Sequence, residues 1–221
     1  QEALKIGRDL AAENPEVFKD GLATTLDGIA GLYRDLKKYD ESEKTYQESL
    51  KIRRELAVEN PEVFKDGLAT TLDGIAGLYC DLKKYDESEK TYQEASKIRR
   101  ELAAENPEVF KDDLATTLDG IAGLYCDLKK YDESEKTYQE ALKIRRELAA
   151  ENSEVFKDDL ATTLDGIAGL YCDLRKYDES EKAYQEALKI RRDLAEENPD
   201  VFDSDLEESL NNIETLSNLR N

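Results

Sequence analysis

Apolar residues recur along the chain at helical spacing. In one stretch they fall three and four residues apart, at Phe64, Leu68, Leu72, Ile75, Tyr79 and Leu82. This spacing predicts an amphipathic α-helix. Asn60 and Pro61 precede it as an N-cap and a first helical residue, and Lys83 and Lys84 suit the negative end of its dipole. Gly67 lies inside the pattern and costs about 1 kcal/mol of helix stability relative to alanine. The pattern therefore allows a break in the helix near residues 65–67.

A second amphipathic helix follows after a short connection at Tyr85. We expect it to begin at Asp86, because Glu89 stands three residues further on and the two resemble a capping box. Its apolar stripe passes through Tyr92, Ala95, Ile98, Arg99 and Leu102. Since the connection is short, the two helices are predicted to pack antiparallel.

This helix pair recurs with a period of 46 residues. The string Asn-Pro-Glu-Val-Phe-Lys-Asp begins at Asn14, Asn60 and Asn106, and related strings begin at Asn152 and Asn198. Such a period predicts a repeat protein that buries each unit against its neighbours. We expect one repeat domain over residues 1–221, made of a partial repeat (1–13), four full repeats (14–59, 60–105, 106–151 and 152–197) and a C-terminal capping helix (198–221).

The two ends of the chain differ in this pattern. In the last helix, Glu214 and Ser217 replace the alanine and tyrosine that earlier units place between helix pairs. Polar residues at these positions are expected of a terminal cap. Gln1, in contrast, falls in the middle of a unit, so we expect the natural chain to be longer at this end.

Ala76, Tyr79, Tyr85, Tyr92 and Ala95 resemble the signature of a tetratricopeptide repeat, and the surrounding residues resemble the kinesin-light-chain variant. The resemblance covers essentially the whole chain, although the unit is longer than the usual 34 residues. It implies an all-α fold, a right-handed superhelical solenoid of antiparallel helix pairs whose first helices line a concave protein-binding face. The inner Asn-Asn pair of that variant reads Asp-Gly in every unit and survives only in the last helix.

The resemblance also places the expected partner-binding residues on the concave face. They are Thr24, Asp27, Asp35, Thr70, Asp73, Asp81, Thr116, Asp119, Asp127, Thr162, Asp165, Asp173, Asn211 and Asn212. Residues 60–82 hold four acids and one base, whereas residues 83–105 hold six of each. We therefore hypothesise an acidic trough that prefers a basic or amine-bearing segment. The alternative is a solvated face that is acidic for solubility alone.

Composition narrows the possible functions. The chain has 32 Lys and Arg against 52 Asp and Glu, with no histidine and a net charge of −20. This charge argues against nucleic acid and anionic membrane partners, both of which bind clustered basic residues. The chain also has no apolar run long enough to span a membrane. No glycine-rich phosphate loop or nucleophile–base pair is present, so we expect neither catalysis nor a cofactor.

The three cysteines, Cys80, Cys126 and Cys172, occupy one equivalent position in successive units. Helices packed about 8–10 Å apart keep such residues beyond the reach of a disulfide, and one thiol per unit cannot supply four zinc ligands. We expect small half-buried side chains, no metal and a cytoplasmic location. The Lys-Ile-Arg-Arg runs are expected to form a charge-balanced outer face.

A non-enzymatic scaffold or adaptor that binds a peptide or protein segment is the leading functional prediction. One alternative is a structural module that self-assembles into a homo-oligomer through its open N-terminal face. Another is the ligand-sensing arm of a larger signalling protein.

Overall fold

The structure is a computed structural model that describes residues 2–220, apart from the side chains of Ala3, Ser153 and Glu154. The part described consists of ten α-helices joined by short connections. Their bounds are α1 Glu2–Glu13, α2 Pro15–Asp35, α3 Tyr39–Glu59, α4 Pro61–Asp81, α5 Tyr85–Glu105, α6 Pro107–Asp127, α7 Tyr131–Glu151, α8 Ser153–Asp173, α9 Tyr177–Glu197 and α10 Pro199–Arg220.

First-type helices (even numbers) alternate with second-type helices (odd numbers) and form antiparallel pairs. In the pair α2–α3, Lys19 near the start of α2 binds Glu55 near the end of α3 at 2.9 Å. At the opposite end, the buried Ser42 hydroxyl of α3 donates to the Ala30 carbonyl oxygen of α2 at 2.8 Å. The predicted all-α solenoid of antiparallel helix pairs is confirmed.

The helices form two compact units, residues 1–110 and 111–221, each with its own core. Fully buried leucines of the first-type helices fill both cores, with small alanines where helices approach closely. Leu26 and Leu78 are examples in unit 1, and Leu118 and Leu164 are examples in unit 2.

Each first-type helix that begins with proline follows an asparagine, as predicted. Asn60 contributes its backbone oxygen, which accepts the Phe64 N–H at 3.1 Å, but its side chain makes no capping hydrogen bond. The helix continues unbroken through Gly67 to Asp81. The break that the glycine allowed is therefore absent.

The turn between the helices of a pair differs from the prediction. The first helix ends at Asp81, and Lys83 adopts the left-handed conformation with φ of 57°. The Lys84 N–H then donates to the Tyr79 carbonyl at 2.8 Å, and the Lys83 N–H to the Cys80 carbonyl at 2.9 Å. This pattern is a Schellman motif, which usually has glycine at the left-handed position.

The second helix begins at Tyr85 rather than at Asp86, and no side-chain capping bond is present. The predicted capping box at Asp86 and Glu89 is thus wrong, because Lys84 already occupies the N-cap position. Ser88 has the structural role within this run: its buried hydroxyl donates to the Ala76 carbonyl oxygen at 2.8 Å and joins the two helices.

None of the helices within residues 2–220 is both long enough and apolar enough to cross a membrane.

Candidate partner-binding surface

The predicted partner-binding residues lie on the first-type helices, on a surface that we call the first-helix face. The threonines (Thr24, Thr70, Thr116, Thr162) are exposed, the aspartates of the second set (Asp27, Asp73, Asp119, Asp165) are half-buried, and those of the third set (Asp35, Asp81, Asp127, Asp173) are exposed. In α10, Asn211 is exposed and Asn212 is half-buried. The half-buried aspartates differ from the freely solvated row that charge counting suggested.

A buried arginine from the second-type helix accounts for this burial. Arg53 of α3 is only 6% exposed and reaches across to α2. Its guanidinium binds the Asp20 carboxylate, donates to the Thr24 hydroxyl oxygen at 2.8 Å and lies 3.6 Å from Asp27. Because a guanidinium presents five donors in a planar fork, one side chain can hold all three groups.

The other repeats have the same arrangement. Arg99 binds Asp66 and Thr70 in unit 1, and Arg145 binds Asp112 and Thr116 in unit 2. Arg191 binds Asp165 and also donates to Ser209 of α10 at 2.7 Å.

Threonine hydroxyls connect consecutive first-type helices to the same aspartates. The buried Thr71 of α4 donates to Asp27 of α2 at 2.9 Å. In unit 2, Thr163 of α8 donates to Asp119 of α6 at 2.7 Å. The half-buried aspartates therefore have a structural role, because each receives hydrogen bonds or ion pairs from neighbouring helices.

Unit 1 and unit 2 differ in the residue that lies beside the buried arginine, as Arg53 and Arg145 show. In unit 1, Gly67 leaves the space that the Arg53 guanidinium fills: an added Cβ would lie 2.6 Å from Nη1. In unit 2 the equivalent residue is Asp159, whose carboxylate lies 3.7 Å from Arg145 Nη1. Arg145 therefore faces three carboxylates, those of Asp112, Asp119 and Asp159.

Burial changes the acidity of these aspartates. Desolvation raises the pKa of Asp27 and Asp165 above the usual range, against the opposing effect of their arginines. It raises the pKa of Asp119 to about 6, although Thr163 and Arg145 favour the charged form. The pKa of Asp159 is also raised, first by burial and then by the neighbouring carboxylates. Burial therefore disfavours the ionised forms of Asp119 and Asp159 in unit 2.

Unit 1 and unit 2 also differ at the position of Arg34. In unit 1, Arg34 of α2 binds Asp81 of α4, with Nε 2.6 Å from Oδ2. The equivalent residue of α6 is Cys126, and burial raises the pKa of its thiol, with a further contribution from the nearby carboxylates of Asp173 and Asp127. Thus an arginine neutralises this part of the face in unit 1, whereas unit 2 leaves two exposed carboxylates beside a neutral thiol.

At Gly74 and Gly166, the glycine of the Asp-Gly pair has a packing explanation. An added Cβ at Gly74 would lie 2.7 Å from the hydroxyl of Tyr46, which α3 inserts into this position. Gly166 and Tyr138 make the same contact in unit 2. An asparagine in place of the glycine would collide with the tyrosine ring. This chain therefore has glycine at the two positions where the tyrosine of the preceding repeat packs.

Sequence reasoning misplaced the first arginine of each Lys-Ile-Arg-Arg run. Arg53, Arg99, Arg145 and Arg191 are buried, so the expected outer-face position is wrong for them. The second arginine is on the surface as expected: Arg54 binds Glu94, and Arg146 binds Glu186. The spacing held the signal, because Arg99 falls on the apolar stripe through Tyr92, Ala95 and Leu102 rather than beside it.

This geometry defines a helical repeat protein. The family model described as tetratricopeptide repeat matches residues 22–61, 68–108, 114–153 and 160–200. The chain belongs to the tetratricopeptide repeat family, with repeats of the kinesin-light-chain type. Members of this family typically mediate protein–protein interactions and are generally non-catalytic scaffolds.

Two solved structures have the same fold. BtubC (BKLC) from P. vanneervenii superposes with a TM-score of 0.77 and 22% identity, over 99% of this chain and 80% of that one. The apo form of RapI superposes with a TM-score of 0.68 and 18% identity, over 96% of this chain and 73% of that one. None of the curated proteins matches the sequence.

Proposed function

We propose that the first-helix face binds a basic segment of a protein partner, without catalysis. The observation that carries the proposal is the excess of carboxylates that remains after the buried arginines are counted. Arg145 faces three carboxylates, and Asp127 and Asp173 are exposed beside Cys126. A lysine or arginine side chain of a partner relieves this repulsion, which favours binding.

We divide the predicted binding residues into two groups according to their contacts and exposure. The hydroxyl oxygen of Thr24 accepts from Arg53, and its proton goes to the Asp20 backbone oxygen at 3.1 Å. We assign such threonines and the half-buried aspartates to shaping the face. The exposed Asp127 and Asp173 supply direct charge contacts in unit 2, and Asn211 and Asn212 of α10 supply amide contacts.

Unit 2 is the proposed principal binding unit. Arg34 in unit 1 already binds Asp81, so a basic segment gains less there. The three cysteines of the described residues are half-buried thiols that form no disulfide, which suits a reducing compartment such as the cytoplasm, where we place this interaction.

Peptide titration tests the proposal. A fluorescent lysine- and arginine-rich peptide is titrated with wild-type protein and with the double variant Asp127→Asn/Asp173→Asn. We expect binding that weakens with salt, and about twofold to thirtyfold weaker binding by the variant, because each of the two exposed ion pairs contributes about 0.2–1 kcal/mol. Glu133→Gln/Glu179→Gln is the matched control, since it removes two exposed acids from second-type helices. Equal losses in the two variants would mean that net charge, and not the first-helix face, governs binding.

A further inference from the structure

Unit 1 holds an arginine side chain in a site formed by the next first-type helix. Arg34 of α2 reaches α4, where its guanidinium donates two hydrogen bonds to the Asp81 carboxylate: Nε lies 2.6 Å from Oδ2, and Nη2 lies 3.1 Å from Oδ1. The two side chains are 34% and 33% exposed, so the pair is accessible to solvent on one side. This forked pairing uses the planar shape of the guanidinium.

A glycine one helical turn before Asp81 makes room for this group. An added Cβ at Gly77 would lie 2.6 Å from Arg34 Nη1, 3.1 Å from Cζ and 3.2 Å from Nη2. Because three atoms of the planar group are close to one point, the guanidinium lies against the backbone of α4. The site therefore consists of a glycine and an aspartate four residues apart, which share one face of the helix.

Unit 2 has the same glycine and aspartate without the arginine. The equivalent residues of α8 are Gly169 and Asp173, and Cys126 of α6 stands at the position of Arg34. The Cys126 thiol lies 3.0 Å from the Ser134 hydroxyl of α7. In the described part of unit 2, the cysteine therefore takes a hydrogen bond within its own helix pair and supplies no guanidinium to α8.

The space beside Gly169 is open as a result. Within the part of the chain that the structure describes, an added Cβ at Gly169 would meet one atom within 4 Å, the Tyr184 hydroxyl oxygen at 3.9 Å. The Asp173 carboxylate is exposed and makes no ion pair or hydrogen bond with another residue of 2–220. Helices α7 and α9 both pack on α8, so the open space follows from the cysteine at position 126. We call Cys126, Gly169, Asp173 and Tyr184 the Gly169 subsite.

We propose that the Gly169 subsite binds the guanidinium of an arginine from a protein partner. This inference rests on the proposed function and narrows its ligand from any basic side chain to arginine. The partner's guanidinium takes the place that Arg34 fills in unit 1, with forked hydrogen bonds to Asp173 and its plane against Gly169. A lysine ammonium has neither the fork nor the flat face and is more strongly hydrated, so it gains less at this subsite.

Two peptides of equal length and charge test the proposal, one with arginine and the other with lysine at every basic position. Fluorescence anisotropy measures the ratio of their dissociation constants. We expect wild type to bind the arginine peptide about threefold to tenfold more tightly, because the guanidinium makes a second charge-assisted hydrogen bond.

Gly169→Ala tests the subsite without changing any charge. Its methyl group makes only an ordinary contact with Tyr184, so the variant is expected to keep the fold, with circular dichroism as the check. The same methyl group occupies the place of the guanidinium, as the distances at Gly77 show. We therefore expect this variant to lose the preference for the arginine peptide.

Two cysteine variants provide a control that is matched in charge. Cys126→Arg restores the internal arginine of unit 1 and is expected to fill the subsite, which removes the preference for arginine. Cys172→Arg adds the same charge one repeat later, where α10 has Thr215 and Leu219 at the positions of the glycine and the aspartate. This control is expected to retain the preference.

The outcomes separate this inference from the proposed function. Equal binding of the two peptides to wild type, or a preference that Gly169→Ala retains, would overturn the inference and leave the proposed function in place. Equal loss of the preference in Cys126→Arg and Cys172→Arg would show that net charge governs selectivity and would also overturn it. Absence of salt-dependent binding of both peptides would contradict the proposed function and this inference together.

Discussion

Removal of a charge from an ion-paired aspartate is predicted to stabilise this protein. Asp119 lies half-buried between two helices of unit 2, 3.9 Å from Arg145. Arg145 also faces Asp112 and Asp159, so it keeps two carboxylates when Asp119 is neutral. The substitution Asp119→Asn preserves side-chain size, and its amide oxygen can still accept the hydrogen bond from Thr163.

The magnitude follows from the pKa of Asp119, which burial raises from 3.8 to about 6. Because the pKa is higher in the folded state, the native protein holds this proton more tightly than the unfolded chain does. The resulting stabilisation is complete below about pH 4 and is lost as the pH rises through about 6. With about 1.4 kcal/mol for each pKa unit, the loss reaches ~3 kcal/mol.

Urea denaturation across pH 4–8 measures the effect. We expect Asp119→Asn to raise the free energy of unfolding by about 1–3 kcal/mol at pH 7.5, and to change it by less than about 0.5 kcal/mol at pH 4. Asp27→Asn is the control in unit 1, where Gly67 replaces the third carboxylate, so its gain is expected to be smaller. A loss of stability at pH 7.5, or a difference that does not depend on pH, would refute this electrostatic reasoning.

Two further predictions each compare a substitution with a matched control. Gly74→Ala is expected to destabilise the protein by about 1–2 kcal/mol, because the new Cβ meets Tyr46. Gly28→Ala is expected to stabilise it by about 0.5–1 kcal/mol, because alanine has the higher helix propensity and the position is open. Equal effects of the two substitutions in thermal denaturation would exclude the packing explanation. Lys83→Gly is expected to raise stability by about 0.5–1 kcal/mol, because Lys83 has positive φ. Lys90→Gly is expected to lower stability by about 1 kcal/mol, because Lys90 lies within a helix. A loss of stability at both positions in the same assay would contradict the role of backbone conformation.

Helical periodicity predicted the elements of the fold because burial of one helical face dominates their stability. The stripe through Leu68, Leu72 and Ile75 is the buried face of α4. The turns were harder to predict, since the left-handed residue of each Schellman motif is lysine or arginine rather than the glycine that signals it. Gly67 gave the opposite error: it accommodates the Arg53 guanidinium and does not break the helix.

The chemistry of the candidate surface was not predictable from the sequence. The family resemblance placed Thr24 and Asp27 on one helix face, and in the structure the same arginine contacts both. That contact was missed because Arg53 stands within a basic run that is typical of solvated helices. Only its place on the buried stripe distinguishes it from Arg54. Charge counting therefore treated Asp27 as a free carboxylate, although a distant residue in the sequence, Thr71, also binds it.

The most direct test of the proposed function is to identify which native partners depend on the exposed acids of unit 2. Affinity purification with mass spectrometry compares wild type, Asp127→Asn/Asp173→Asn and the control Glu133→Gln/Glu179→Gln. We predict that wild type and the control retain a partner with a basic segment, and that the aspartate variant loses it. Retention of the same partners by all three proteins would contradict the assignment of the first-helix face as the binding surface.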